Sequence, residues 1–151
     1  MSEAQPLSKT ERPTPSRGDV LADLLNGVDH IAPVISRHRQ DCEINRTLSP
    51  DVVRAMREVG LFRMKSPHEV GGAEIHPVDQ MAVVEAVVKL DSAAAWTMFI
   101  GATVTGRALS ALSDEAVDEL MAAPDFPIMA GSLKPSGSAT KVDDGFRISG
   151  Q

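Results

Sequence analysis

The sequence predicts a mainly α-helical protein in which β-structure begins only near the C-terminal end. Apolar residues recur every three or four positions from Val20 onwards, which is the period of an amphipathic helix. Near the C-terminal end, in residues 140–142 and 146–148, they alternate with polar residues instead, which is the period of a strand. We therefore expect a disordered leader over residues 1–17, a helical domain over 18–124 and the start of a β-domain over 125–151.

The first helix is predicted from a capping-box pattern and a long apolar stripe. Ser16 is followed three residues later by Asp19, and the stripe then runs as far as Ile35. Gly27 and Pro33 interrupt this segment, so we expect them to weaken or bend the helix without removing its apolar face.

Two further helices are predicted from proline at the first helical position. Ser49 precedes Pro50, which is the preferred order for an N-cap and a first helical residue, and Gly60 is placed to end that helix. Pro77 opens the next helix, which continues to about Leu90 and is apolar on nearly all sides. Such a helix is expected to be central in the fold.

Asp91 caps a fourth helix, which extends to about Leu112 and is rich in small residues that permit close helix packing. A shorter fifth helix follows Ser113 and ends before Pro124.

The C-terminal segment is predicted to form short strands. Residues 127–133 form an extended run, and residues 140–142 and 146–148 alternate around Asp144-Gly145, a hairpin signal. One strand and one hairpin do not make a finished sheet, so we expect the chain to be the N-terminal part of a longer protein.

Charge and composition disfavour several function classes. The net charge of −6 argues against nucleic acid or an anionic membrane surface as the main partner. The single cysteine, Cys42, excludes an internal disulfide, and the N-terminal residues lack the apolar segment of a signal peptide. No stretch is long and apolar enough to span a bilayer. These features predict a cytoplasmic protein.

Few residues carry a recognisable chemical motif. The four histidines and Cys42 lack the spacing of a metal site, and neither a nucleophile elbow nor a phosphate-binding glycine motif occurs. Trp96 is the only tryptophan and lies among small residues. Composition favours a core aromatic at this position, and the alternative is a flat wall of a pocket for a planar ring.

Three strings in combination resemble the acyl-CoA dehydrogenase superfamily. They are REVGLFRMKSPHEVGG (57–72), AAAWTMFIG (93–101) and AGSLKPSGSATKVDDGFRISG (130–150). The resemblance is closer to the flavin-dependent monooxygenase branch, the oxygenase components of two-component aromatic hydroxylases. It implies an N-terminal helical domain of the acyl-CoA dehydrogenase type, followed by the first strands of a truncated β-domain.

The resemblance also implies a flavin site. It places flavin contacts at Trp96, Gly131, Ser132, Leu133 and Pro135. The dehydrogenase branch has a Thr-Glu pair before the proline, where this chain has Leu133-Lys134. That departure favours the hydroxylase branch. Catalytic residues are expected beyond the end of this sequence.

The function implied for the whole protein is hydroxylation of an aromatic or similar small substrate with O2 and reduced FMN or FAD. A separate flavin reductase would supply the reduced flavin, and the full-length protein would be a homo-oligomer, in the family a tetramer. An acyl-CoA dehydrogenase is the alternative enzyme. A helical oligomerisation module without catalysis is the alternative from another class.

Overall fold

A computed structural model describes residues 16–131, residue 134 and residues 136–150. The expected leader therefore lies almost wholly outside the described residues. The α-helices in this part of the chain are α1 (Arg17–Asn45), α2 (Pro50–Glu58), α3 (Pro77–Val88), α4 (Ser92–Leu109) and α5 (Asp114–Met121), followed by the strands β1 (Gly137–Val142) and β2 (Gly145–Gly150). This confirms the predicted mainly helical fold with strands at its C-terminal end. None of these helices is long and apolar enough to cross a membrane.

The helix starts are local hydrogen-bonded caps. Ser16 and Asp19 form the predicted capping box, and the side chains of Ser49, Asp91 and Ser113 each accept a backbone N–H from the first turn of their helix. Each cap joins residues three positions apart, so the amino acids alone suffice to specify it.

The first helix continues without a break through Pro33, so the predicted weakening does not end it. Its N-terminus is joined to α3 by a two-pronged ion pair. Arg17 Nε and Nη2 donate to the two carboxylate oxygens of Asp79 at 2.5 and 2.8 Å. Only 9% of the Asp79 side chain is exposed, whereas 61% of the Arg17 side chain is exposed.

The hydrophobic core lies between α1, α2, α3, α4 and a 3-10 turn, Leu61–Arg63. Leu61, Phe62 and Met64 are almost completely buried there, although the sequence predicts only a connection at this point. A second 3-10 turn, His68–Val70, leads into the loop before α3. Apolar residues at successive positions can all be buried here because α4 crosses this segment closely.

That close crossing depends on two glycines of α4. A Cβ atom at Gly106 would lie 2.5 Å from the carbonyl oxygen of Lys65, and one at Gly101 would lie 3.0 Å from the Phe62 ring. Both positions therefore bring α4 nearer to the turn than any larger residue permits.

The position of α3 differs from the prediction. Val83 and Val87 are completely buried, but Val78, Met81 and Val88 are 64%, 48% and 48% exposed. The helix therefore packs on one face and leaves an apolar face open, whereas its composition suggested a central helix.

The two strands form the predicted antiparallel hairpin, with Val142 opposite Gly145 and Gly137 opposite Gly150. The turn residues are Asp143 and Asp144, one position before the predicted pair, and Gly145, with a positive φ of 147°, is the first residue of β2. Every residue of both strands is exposed. Residues 127–131 form no strand, in contrast to the predicted extended run.

Candidate functional site

Trp96 lies on the surface of α4, which contradicts the core position that its composition favoured. Its residue exposure is 66%, whereas the neighbouring Ala94, Ala95 and Met98 are buried. The indole lies near the Phe99 ring, with 6.3 Å between the ring centroids and a tilt of 41°. Ala94 and Ala95 are buried against other elements, whereas the indole of Trp96 lies at the surface.

A groove lies beside this indole, between α4 and the segment that follows α5. We call it the Trp96 groove. Its volume is about 250 Å³, and it is lined by Trp96, Thr97, Ile100, Gly101, Ile128, Met129 and Ala130. Helix α4 supplies one wall, and residues 128–130 supply the other.

Residues 128–131 are held against α4 at three places. The backbone N–H of Met129 donates to Thr105 Oγ1 at 2.8 Å. A Cβ at Gly101 would lie 3.1 Å from Ile128 Cγ2, and one at Gly131 would lie 3.4 Å from Val104 Cγ1. One hydrogen bond and two close apolar contacts thus define where the second wall lies.

Of the predicted flavin contacts, Trp96 lines the groove, and the role of all five residues in flavin binding stays a prediction. Trp96 faces the groove whose other wall ends at Ala130, immediately before Gly131. Gly131 directly follows this wall, whereas Ser132, Leu133 and Pro135 lie outside the described residues. Sequence reasoning missed residues 128–130, which have no motif of their own and reach the site only through packing on α4.

The Trp96 groove is chemically suited to the flat, uncharged part of a ligand. Its lining contains no charged side chain. Within the described part of the chain, no hydrogen bond involves the backbone N–H of Ala130 or Gly131. An aromatic face opposite free peptide groups fits the ring system of a flavin, whose polar edge needs hydrogen-bond partners. The lining offers no cation for a phosphate.

A second groove lies on the other side of the same indole. Its volume is about 240 Å³, and its lining from α3 and α4 is Met81, Val84, Val88, Ser92, Ala95, Trp96 and Phe99. The exposed face of α3 therefore continues directly into the surface that carries Trp96.

A third depression, about 330 Å³ in volume, surrounds the Arg17–Asp79 pair and includes His68, Glu74 and His76. The hydrogen bonds from Arg17 hold the pKa of the Asp79 carboxyl below its usual value, against the opposing effect of burial. Arg17 already satisfies this carboxylate. Within the described ranges, no three His, Cys, Asp or Glu side chains are grouped so that they could hold a metal ion.

The sequence is similar to known monooxygenases. The chain is 29% identical over 134 residues to an indole-3-acetate monooxygenase of Pseudomonas putida, a match that covers 89% of this chain and 33% of that protein. It is 25% identical over 124 residues to the flavin-dependent monooxygenase oxygenase subunit HsaA of Rhodococcus jostii, covering 82% of this chain and 32% of that one. The chain thus spans about a third of the length of these relatives.

Solved structures share the fold. The HsaA monooxygenase from M. tuberculosis superposes with a TM-score of 0.78 at 23% identity, over 86% of this chain and 35% of that one. XiaF from Streptomyces sp., solved in complex with FADH2 and glycerol, superposes with a TM-score of 0.77 at 20% identity, over 89% of this chain and 34% of that one.

A family assignment follows from a match over most of the helical region. Residues 28–121 match the N-terminal domain of acyl-CoA dehydrogenases. This range runs from within α1 to the last residue of α5 and contains most of the core. The chain therefore belongs to the acyl-CoA dehydrogenase N-terminal domain family, and its relatives include oxygenase components of flavin-dependent monooxygenases.

Proposed function

We propose that this chain is the N-terminal part of the oxygenase component of a flavin-dependent monooxygenase that hydroxylates an aromatic or similar small substrate. The observation that carries the proposal is the exposed indole of Trp96 facing residues 128–130 across an apolar groove. The names of the relatives support the same reaction class. Reduced FMN or FAD, supplied by a separate flavin reductase, would provide the electrons that activate O2.

In this proposal the chain binds and orients the flavin rather than reacting with it. The indole of Trp96 offers a flat surface to the ring system, and the peptide groups of Ala130 and Gly131 offer donors to its polar edge. The lining is apolar, and once the rest of the full-length protein covered it, it would limit access of water and so protect reactive oxygen species from unproductive loss. The phosphate groups and the catalytic side chains would contact other parts of the full-length protein.

Flavin binding tests the proposal directly, because Trp96 is the only tryptophan and reports on its own groove. Oxidised FMN and FAD are titrated separately into the purified chain while tryptophan fluorescence is recorded, with free tryptophan amide correcting for light absorption. We expect saturable quenching by at least one flavin. Non-saturable quenching that matches the free amide would reject the proposed site.

A matched pair of variants locates the bound flavin. Ala130 lines the groove and is exposed, whereas Ala123 is exposed but lies outside it. The variant Ala130→Leu should fill the groove and raise the flavin Kd, whereas Ala123→Leu should leave it unchanged. Equal Kd values for the two variants would place the flavin elsewhere.

Acyl-CoA dehydrogenation is a second candidate because the matched family carries that name. The Leu133-Lys134 sequence before Pro135 argues against it, since the dehydrogenase pattern has Thr-Glu there. Reduction of a dye that depends on acyl-CoA, measured on the full-length protein, would favour this candidate. Substrate hydroxylation that depends on NADH and a reductase would favour the monooxygenase.

The open apolar face of α3 favours a third possibility, self-association without catalysis. Light scattering on the same samples distinguishes it from the enzymatic functions. A stable oligomer that shows no flavin effect would support an interaction module and contradict the proposed function.

A further inference from the structure

We propose that Thr105 is a positioning residue that sets the width of the Trp96 groove through its hydrogen bond to Met129. This inference concerns the same groove and so rests on the proposed function for its meaning in flavin binding. Thr105 does not line the groove. It acts on the groove wall through the backbone of Met129.

The burial of Thr105 makes this hydrogen bond important. Its residue exposure is 0%, and it is one of the few polar residues in the core among the described residues. A buried hydroxyl needs a hydrogen-bond partner, and the Met129 N–H supplies one at 2.8 Å. The bond joins residues 24 positions apart, so it fixes a tertiary relation and not a local turn.

The geometry of α4 relates this bond to the groove. Thr97, Gly101 and Thr105 are each four residues apart and therefore share one face of the helix. Thr97 and Gly101 line the groove. Thr105 lies one turn beyond Gly101, where Met129 covers the same face. The Thr105–Met129 hydrogen bond therefore holds residues 128–130 at one end of this helix face. The groove lies toward the other end, beside Thr97 and Gly101.

The Thr105–Met129 hydrogen bond controls where Ile128 and Ala130 lie. They flank Met129 in the sequence, and both line the groove. Gly101 lacks a side chain, and a Cβ there would lie 3.1 Å from Ile128 Cγ2, so the wall lies closer to α4 than a larger residue would permit. The Thr105 hydrogen bond opposes movement of the wall away from α4. It therefore limits the distance between the wall and Trp96.

Two variants separate the hydrogen bond from the packing of the side chain. Thr105→Val keeps the shape but removes the acceptor, and Thr105→Ser keeps the acceptor but removes a methyl group. Val52→Ala serves as the destabilised control, since Val52 is a buried core residue on α2 that does not line the groove.

Amide hydrogen exchange by NMR on the whole chain is the first readout. We expect the Met129 amide to exchange about three- to tenfold faster in Thr105→Val relative to neighbouring core amides, as loss of one neutral hydrogen bond implies. Thr105→Ser and Val52→Ala should retain the relative protection. Unchanged relative protection in Thr105→Val would overturn the inference.

Flavin affinity is the second readout. FMN and FAD titrations followed by Trp96 fluorescence should give a Kd about three- to tenfold higher for Thr105→Val, and near wild type for Thr105→Ser and Val52→Ala. An unchanged Kd in Thr105→Val, with wild-type binding intact, would overturn the inference. If the wild type binds neither flavin, the proposed function fails, and the exchange data alone decide whether Thr105 positions the wall.

Discussion

Replacing Gly106 with alanine tests how closely α4 passes the backbone of Lys65. The added Cβ would lie 2.5 Å from the Lys65 carbonyl oxygen and 2.8 Å from its carbon, whereas Cβ atoms practically never approach another heavy atom closer than 3.0 Å. The obstruction is backbone and cannot rotate away. Such overpacking costs about 1–3 kcal/mol. Alanine recovers about 0.5–1 kcal/mol through its better helix propensity.

We therefore expect Gly106→Ala to lower the free energy of unfolding by about 2 kcal/mol, since a backbone obstacle favours the upper part of that range. For a domain of this size the melting temperature should fall by about 4–8 °C. Urea unfolding followed by far-UV circular dichroism gives the free energy, and coincidence with the fluorescence transition checks two-state behaviour.

The matched control is Gly18→Ala, the same change in the first turn of α1. The nearest atom to a Cβ there is Ser16 Oγ at 3.8 Å, so the methyl group meets no obstacle. Its unfolding free energy should stay unchanged or rise by up to about 1 kcal/mol. If Gly106→Ala were as stable as Gly18→Ala, the inferred contact between α4 and Lys65 would be wrong.

Three further predictions follow from single contacts. Because the pKa of Asp79 is lowered in the folded protein, its pair with Arg17 stabilises the fold above the ordinary carboxyl pKa of 3.8 and loses this effect as the pH falls through the lower folded value. Urea unfolding at several pH values gives the difference in unfolding free energy between wild type and Arg17→Gln. This difference should therefore be constant near neutral pH and vanish in acid. A difference that grows in acid would contradict the stabilising role of the Arg17–Asp79 pair. Trp96 should show strong acrylamide quenching and red-shifted emission because it is exposed, and a blue-shifted, protected emission would contradict its placement. Asp91→Ala should cost about 1 kcal/mol in urea unfolding through loss of the α4 cap, and no measurable cost would show that the cap contributes little.

The candidate site was only partly predictable from the amino acids. The resemblance singled out Trp96 and the region of Gly131, and the structure places the groove between α4 and residues 128–130. Thr105 carried no signal, since a threonine in an apolar helix is ordinary until its partner is known. Thr105 matters because its side chain is buried, and its burial depends on elements that are distant in the sequence.

By itself, the sequence determined the helices, their caps and the hairpin. Each depends on residues a few positions apart, such as Ser49 with Val52 or the alternating residues on either side of the Asp143-Asp144 turn. The tertiary structure decided which faces are covered. Trp96 is exposed because Ala94 and Ala95 pack inwards while the second wall stops short of the indole. Asp79 is a buried carboxylate because Arg17 reaches it across 62 positions. Such contacts depend on the mutual placement of whole elements, which no local pattern specifies.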